Sequence, residues 1–372
     1  MLPWRYPSTY IYAECTRVIK GDSTEGLHCN GQPHRRIVNE HPLSHSQSKA
    51  PFATMPSATT SKLEFVPMHE TFVAEVRGID FTKPLSPEVV KQVQDGIDKY
   101  GILIFRNTGL DDKSHIDFAR HFGPLDDMLP HVKAGRKLRL PDPEMFDVSN
   151  LDPEGNLVTE ADPARLGAFK GNALWHADLA FNSPRAGYSM LRAHQLPPKG
   201  LGGDTEYCDA RTAYEDLPEE MKSKIANLVG NHSLMHNRKL AAPELYPDLN
   251  PRDYPFSKHR LVVPHKAGRT QLYLTTYLHH FDGMTDEESQ QLMDELWVHC
   301  TQPQYTVLVK WENDGDLIMW DNTAVLHRAT GGEYLTKHVR DMRRTTSHDD
   351  GPHGLGMNKE SFRQGLPIPQ VP

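Results

Sequence analysis

GDLIMWDNTAVLHRAT, residues 315–330, reads as a short apolar strand, a turn at Asp321-Asn322 and a second strand-like stretch that carries His327. Similar short stretches flank it at 304–311 and 338–346 and recur upstream at 72–80, 102–106, 174–181 and 187–195. FVAEVRGID (72–80) alternates apolar and polar residues in part, whereas ILIFR (102–106) is a continuous apolar run suited to a buried strand. Helices are few. Ser86-Pro87 opens one that lines up Val89, Val90, Val93, Ile97 and Tyr100 on one face and stops at Gly101. Others are expected at 112–122, 218–228 and 286–299, the last opened by a capping box from Thr285 to Glu288. Short strands without regular βαβ alternation predict a mainly β chain with flanking helices, a β-sandwich or jelly roll (double-stranded β-helix). No internal repeat is evident.

The composition narrows the function classes. The chain has 372 residues, 24% of them charged, with 41 Lys+Arg against 49 Asp+Glu and a net charge of −8. That balance offers no global attraction for nucleic acid or an anionic membrane, so neither is expected as a partner. No apolar run approaches the roughly 18 residues of a spanning helix. The opening MLPWRYPSTYIYAEC lacks the charged-then-apolar layout of a secretory signal. Cys15, Cys29, Cys208 and Cys300 are scattered and form no C-x-x-C, which suits a reducing, cytoplasmic setting. Residues 1–61 are rich in Ser, Thr, Pro and His with few periodic apolar positions, and are expected to be a disordered extension in which Met55 is an alternative start. The globular domain is expected over 62–350, with 236–258 as a Pro-rich insertion and 351–372 as a C-terminal tail.

Twenty-one histidines invite a search for a site, although most histidines in any chain do no chemistry. Four His-x-Asp pairs occur: His115/Asp117, His176/Asp178, His280/Asp282 and His348/Asp350. The first falls on a helix, where residues two apart diverge; the third runs into an Asp282-Gly283 turn, and the fourth sits where the final strand gives way to a Gly/Pro tail. GNALWHADLAF (171–181) places His176 and Asp178 on one face of an expected strand between apolar flanks. An imidazole and a carboxylate so placed are two-thirds of a facial triad of two histidines and one carboxylate, the set that holds Fe(II) and leaves three positions open. His327 is a candidate for the third. In VRDMRRTT (339–346), Arg340, Met342, Arg344 and Thr346 share one strand face, with Arg343 on the other. Inward guanidiniums need anions, either structural Asp and Glu partners or the carboxylates of a ligand.

These blocks, with VRGIDFTKPLS, FARHFGPL and YSMLRAHQLPPKGLGGDTEYCDARTAY, run in an order that resembles the taurine dioxygenase/2,4-dichlorophenoxyacetate dioxygenase family of Fe(II)/2-oxoglutarate-dependent oxygenases. The likeness spans about 63 to 347 and is nearer the 2,4-dichlorophenoxyacetate branch. It implies a jelly-roll enzyme using Fe(II), 2-oxoglutarate as co-substrate and O2. It also implies His176, Asp178 and His327 as iron ligands. Thr205 and Arg340 correspond to the residues that hold the distal carboxylate of 2-oxoglutarate, and Asn172 to an asparagine near the same pocket. Arg344 corresponds to the arginine associated with an anionic group of the substrate, and His131, after FGPL, aligns with a substrate-reaching position. Two departures stand out. His327 lies thirteen residues before Arg340, implying a small insertion at Gly331-Gly332, and Ala180 replaces a serine of the phenoxyacetate branch.

The expected reaction is oxidation, chiefly hydroxylation, of a C–H bond in a small anionic substrate such as a carboxylate, sulfonate or aryloxyacetate, with succinate and CO2 formed alongside. Desaturation or ring formation by the same oxidant is the nearer alternative. A zinc-type hydrolase and a catalytically silent jelly-roll binding module are the more distant ones. A homo-oligomer remains open at this point.

Overall fold

Ile102, Leu103, Ile104 and Phe105 are all buried in the computed structural model, so the strand they form is covered on both faces. The structure describes residues 62–133, 137–159, 171–244 and 246–364; the expected extension 1–61 and Met55 lie outside them. The first strands are β1 (Glu64–Pro67), β2 (Ala74–Arg77), β3 (Ile102–Phe105), β4 (Phe146–Ser149) and β5 (Ala186–Gln195). Next come β6 (Thr205–Asp209), β7 (Val229–His232), β8 (Ser257–Arg260), β9 (Val262–Pro264) and β10 (Thr270–Leu272). The last are β11 (Leu278–Phe281), β12 (Thr306–Val309), β13 (Leu317–Asp321), β14 (Val325–Ala329) and β15 (Asp341–His348). Helices α1 (Pro87–Tyr100), α2 (Asp112–Ala119), α3 (Leu129–Lys133) and α4 (Ala210–Glu215) are followed by α5 (Glu219–Ile225), α6 (Leu234–Ala241) and α7 (Asp286–Cys300).

The largest sheet runs β1-β2-β3-β13-β5-β15-β4, and a second, three-stranded sheet runs β12-β6-β14. Strand alternation sorts the side chains of the large sheet into two cores. Ile102, Ile104, Leu191, Ile318, Trp320 and Met342 face inward, against Tyr207, Val309 and Val325 of the smaller sheet. Leu103, Phe105, Leu317 and Met319 face outward and pack beneath Val93 and Ile97 of α1 and Phe118 of α2. On the smaller sheet Cys208 and Leu326 turn outward, in one cluster with Leu292, Leu296 and Trp297 of α7. Each such fully buried leucine contributes about 1.5–3 kcal/mol of burial energy. Two sheets enclosing an inward-facing core, with helices outside, are the expected jelly roll.

Helix boundaries follow their local caps. Ser86 accepts from the Val89 N–H, and Gly101 ends α1 at φ 71° with its N–H on the Ile97 carbonyl. Thr285 and Glu288 close the capping box of α7. The Pro-rich stretch expected as an insertion from 236 begins inside α6 instead, capped by Ser233.

Two expectations are corrected. The strand expected at 174–181 is a single bridge at His176 followed by turns through Phe181, with Leu179 at φ 51°. The cause lies in the hydrogen bonding: the Asp178 N–H goes to the Asn322 side chain, and the Asn182 N–H closes a turn on the Leu179 carbonyl. Residues 351–364, expected within a tail, fold back over the domain. Ser183 and Phe362 exchange both backbone hydrogen bonds (3.0 and 2.8 Å), and Gln364 is 3% exposed with its N–H on Asn182 Oδ1. The side chain of Gln364 accepts the Leu234 N–H at 2.8 Å, so the terminal segment also holds the start of α6.

No helix among the described residues is long and apolar enough to cross a membrane. Cys208 and Cys300 are buried free thiols.

Candidate active site

Val325 of β14 faces the inner core, so His327, two residues on, faces it as well. His176 is brought beside it by a bridge in which the two residues exchange backbone hydrogen bonds of 3.0 and 2.9 Å. Their ring centroids lie 4.2 Å apart. Asp178 arrives by the turn, and His327 Nε2 sits 3.7 Å from its Oδ2. Ligand atoms of His176, Asp178 and His327 all lie within 4.8 Å of one another, on side chains that are buried. The convergence inferred from strand spacing is thus real, but a turn creates it.

The surroundings prepare these groups to hold a cation. His176 Nδ1 lies 2.7 Å from the Leu174 carbonyl, which requires that nitrogen to carry the proton and leaves Nε2 with a lone pair. Burial lowers the His176 pKa against the pull of Asp178, and burial followed by the neighbouring His176 pushes His327 well below the usual imidazole range. His327 Nδ1 is buried without a hydrogen-bond partner among the described residues. Burial alone would raise the Asp178 carboxyl; Arg344, then His327 and His176, outweigh it and hold the group at about 2. Two neutral imidazoles beside one ionised carboxylate form a donor set that suits Fe(II).

Asn322 organises the carboxylate. Its Oδ1 accepts from the Asp178 N–H (2.9 Å) and from Trp320 Nε1 (3.2 Å). Its amide donates to the Gly187 carbonyl and the Ser189 hydroxyl. Ser189 in turn donates to Asp178 Oδ2 at 2.7 Å.

The arginines divide as the alternation of β15 predicts. Arg343 points away and pairs with Asp112 and Asp341. Arg344 points inward and donates to Asp178 Oδ1 at 2.6 Å, its guanidinium 5.0 Å over the Phe146 ring. Arg344 Nε is buried with no partner among the described residues. Arg340 is 7% exposed, with its guanidinium 5.8 Å over the Tyr334 ring. Its Nε and one terminal nitrogen donate to the Gly203 carbonyl at 3.2 and 2.8 Å, and its N–H donates to Asn150 Oδ1. Thr205, buried at the start of β6, follows Gly203 by two residues. Between these groups and the triad, Tyr207 stacks on His327 with Asp178 and Arg340 as charged neighbours.

The model of the family described as "Taurine catabolism dioxygenase TauD, TfdA family" matches residues 64–346. A relative from Burkholderia sp. (strain RASC), an alpha-ketoglutarate-dependent 2,4-dichlorophenoxyacetate dioxygenase, is 37% identical over 281 residues, covering 75% of this chain and 92% of its own. This chain belongs to that family. An (S)-phenoxypropionate/alpha-ketoglutarate-dioxygenase from Sphingobium herbicidovorans is 30% identical over 284 residues (74% of this chain, 92% of its own). The crystal structure of AAD-2 in complex with Mn(II) and N-oxalylglycine superposes with a TM-score of 0.68 at 32% identity, covering 78% of this chain and 98% of that one. This TauD/TfdA-family enzyme is accordingly a 2-oxoglutarate-dependent dioxygenase that uses Fe(II) and O2. The hydrolase and silent-module alternatives have no support left.

Other expected site residues of the TauD/TfdA-family chain fall less centrally. Asn172 is exposed, and its carbonyl accepts from the Ala329 N–H. It extends the His176–His327 pairing by one hydrogen bond. His131 is half-buried on the five-residue α3 and is not part of the ligand cluster. The Gly331-Gly332 insertion packs backbone to backbone on Gly202-Gly203, where a Cβ on Gly332 would lie 2.1 Å from the Leu201 carbonyl. Ala180 is fully buried in the core cluster with Trp175 and Ala177. Sequence reasoning missed Asn322 and Ser189. The signal was a polar turn residue directly after the most buried strand, since a buried amide there needs partners.

Proposed function

We propose that His176, Asp178 and His327 hold Fe(II), that Arg340 and Thr205 bind the distal carboxylate of 2-oxoglutarate, and that Arg344 receives the anionic head of the primary substrate. When bound, the metal with 2-oxoglutarate and O2 supplies the oxidant for C–H hydroxylation, with succinate and CO2 as co-products. The residues do the placing. Leu174 fixes the tautomer of His176, and Ser189 and Asn322 fix the Asp178 carboxylate. The Arg340 guanidinium is pre-set by the Gly203 carbonyl, so its binding geometry costs little side-chain entropy.

One observation carries the substrate class: the unpartnered, buried Nε of Arg344 beside Asp178. A buried guanidinium N–H without an acceptor is costly, and a carboxylate, sulfonate or sulfate oxygen supplies one. Tyr277 meets His176 edge to face at 6.2 Å and Phe181 at 4.8 Å, a pair that suits a flat apolar body behind that head. The names of the relatives, aryloxyacetate and phenoxypropionate dioxygenases, agree with this shape. Free thiols at Cys208 and Cys300 support a reducing, cytoplasmic setting.

The test is anaerobic loading with Fe(II) followed by oxygenation with 2-oxoglutarate and a panel of aryloxyalkanoates, sulfonates and sulfate esters, scored by succinate. Succinate above the substrate-free background with at least one anionic class is expected, and none with the matching neutral amides. Absence of succinate with every metal, together with an unchanged melting temperature on chelation, overturns the reading.

A further inference from the structure

A second cluster of metal-ligating side chains lies where β11 passes toward α7. Neighbours on a regular strand point to opposite faces, so adjacent histidines cannot ordinarily share a ligand. Here they do. The pairing of β11 with β7 slips between Leu278 and His280, and His279 is the extra residue of that bulge. The bulge turns both rings to one side and leaves His279 Nδ1 and His280 Nδ1 3.0 Å apart. Asp286, at the first position of α7, brings a carboxylate oxygen to 3.9 Å from His279 Nδ1, and the three ligand atoms lie within 4.8 Å of one another. Phe256 packs on both imidazoles and His236 meets His279 edge to face at 4.8 Å, so the rings are held in place.

From this geometry we infer that His279, His280 and Asp286 form a second divalent-cation site, apart from the dioxygenase centre, that takes Zn2+ or a comparable borderline-soft ion. Ligands about 2.0–2.1 Å from a tetrahedral zinc ion are separated by roughly 3.3 Å, close to the observed spacing. The Asp286 carboxylate is half-exposed and now pairs with Arg252, so it is able to swing toward an ion. Water fills the remaining position. Such an ion would tie α7 and the bulge of β11 together beside the 251–256 segment.

The experiment uses the full chain without an affinity tag, loaded with Fe(II) and 2-oxoglutarate under anaerobic conditions and dialysed against micromolar Zn2+. Total metal per chain is then counted by mass spectrometry. The wild type is expected to hold one more metal ion than His279→Gln/His280→Gln, and Asp286→Asn to bind zinc at least tenfold more weakly. Arg252→Ala, which frees Asp286, is expected to tighten zinc binding several-fold. Succinate formation is expected to be unchanged in all of these variants. Should the double variant fail to fold, Asp286→Asn and Arg252→Ala, with opposite shifts, decide the matter. Equal metal counts and zinc affinities in the wild type and the folded variants would show that the two imidazoles share only a hydrogen bond, and would overturn the site.

Discussion

Arg344 donates to Asp178 Oδ1 at 2.6 Å while Ser189 occupies Oδ2, so the carboxylate between the two histidines is gripped from both sides. The guanidinium is thereby fixed within reach of whatever lies beside the proposed metal ligands. Arg344→Ala is expected to raise KM for the primary substrate by roughly 10- to 100-fold, the equivalent of one or two charge-assisted hydrogen bonds. KM for 2-oxoglutarate should move much less. Arg340→Ala should show the opposite pattern. Steady-state kinetics of both variants check the division of labour, and matching defects would refute it.

Asn322 bonds the Asp178 N–H, Trp320, Gly187 and Ser189 from a fully buried position. Asn322→Ala leaves several of these groups unsatisfied and should cost about 2–3 kcal/mol of stability. It should also weaken Fe(II) binding about 10- to 100-fold, because the Asp178 backbone loses its anchor. Urea denaturation and anaerobic iron titration measure the two effects. Undiminished iron affinity in a destabilised protein would make Asn322 a fold residue alone.

Gly203 has φ 93°, and a Cβ there would lie 3.0 Å from Arg340 Nε. Gly203→Ala therefore meets backbone strain of about 1–3 kcal/mol and displaces the guanidinium that its own carbonyl holds. The expected result is a raised KM for 2-oxoglutarate with the primary-substrate KM near normal. A variant with ordinary 2-oxoglutarate kinetics would show that Arg340 does not need this seat.

His115 and His232 are buried, and burial above all lowers both to about 3. Their folded values lie below the unfolded value, so the unfolded chain binds more protons between about pH 6.5 and 3. Stability is therefore full above that window and falls with acidification through it. Each histidine costs about 1.4 kcal/mol per pH unit once the unfolded form is protonated. Urea midpoints between pH 7.5 and 5 should fall, and His115→Gln should flatten the slope. An identical slope in that variant would remove His115 from the account.

Local signals carried far in this chain. Ser86, Gly101 and the Thr285–Glu288 box bound their helices because a cap involves residues only a few positions apart. His327 was singled out through the family resemblance, whereas Arg344 was legible because alternation puts it on one strand face with Arg340 and Met342. The turn at Asp178 was not, since the group that diverts its N–H lies 144 residues away in sequence. The same applies to the terminal segment, whose hold on Asn182 and Leu234 spans 182 and 130 positions. Periodicity reports which face is apolar; it does not report a side chain arriving from elsewhere to take a backbone hydrogen bond.

The turn bearing Asp178 is fastened at both ends by backbone pairing, His176 to His327 and Ser183 to Phe362. Backbone pairing is indifferent to which side chains lie between. Phe181, suspended between the two fastenings, is thus open to exchange while Asn322 and Ser189 keep the carboxylate in its place. The turn thus separates the residue that must stay, Asp178, from a neighbour whose side chain is free to vary.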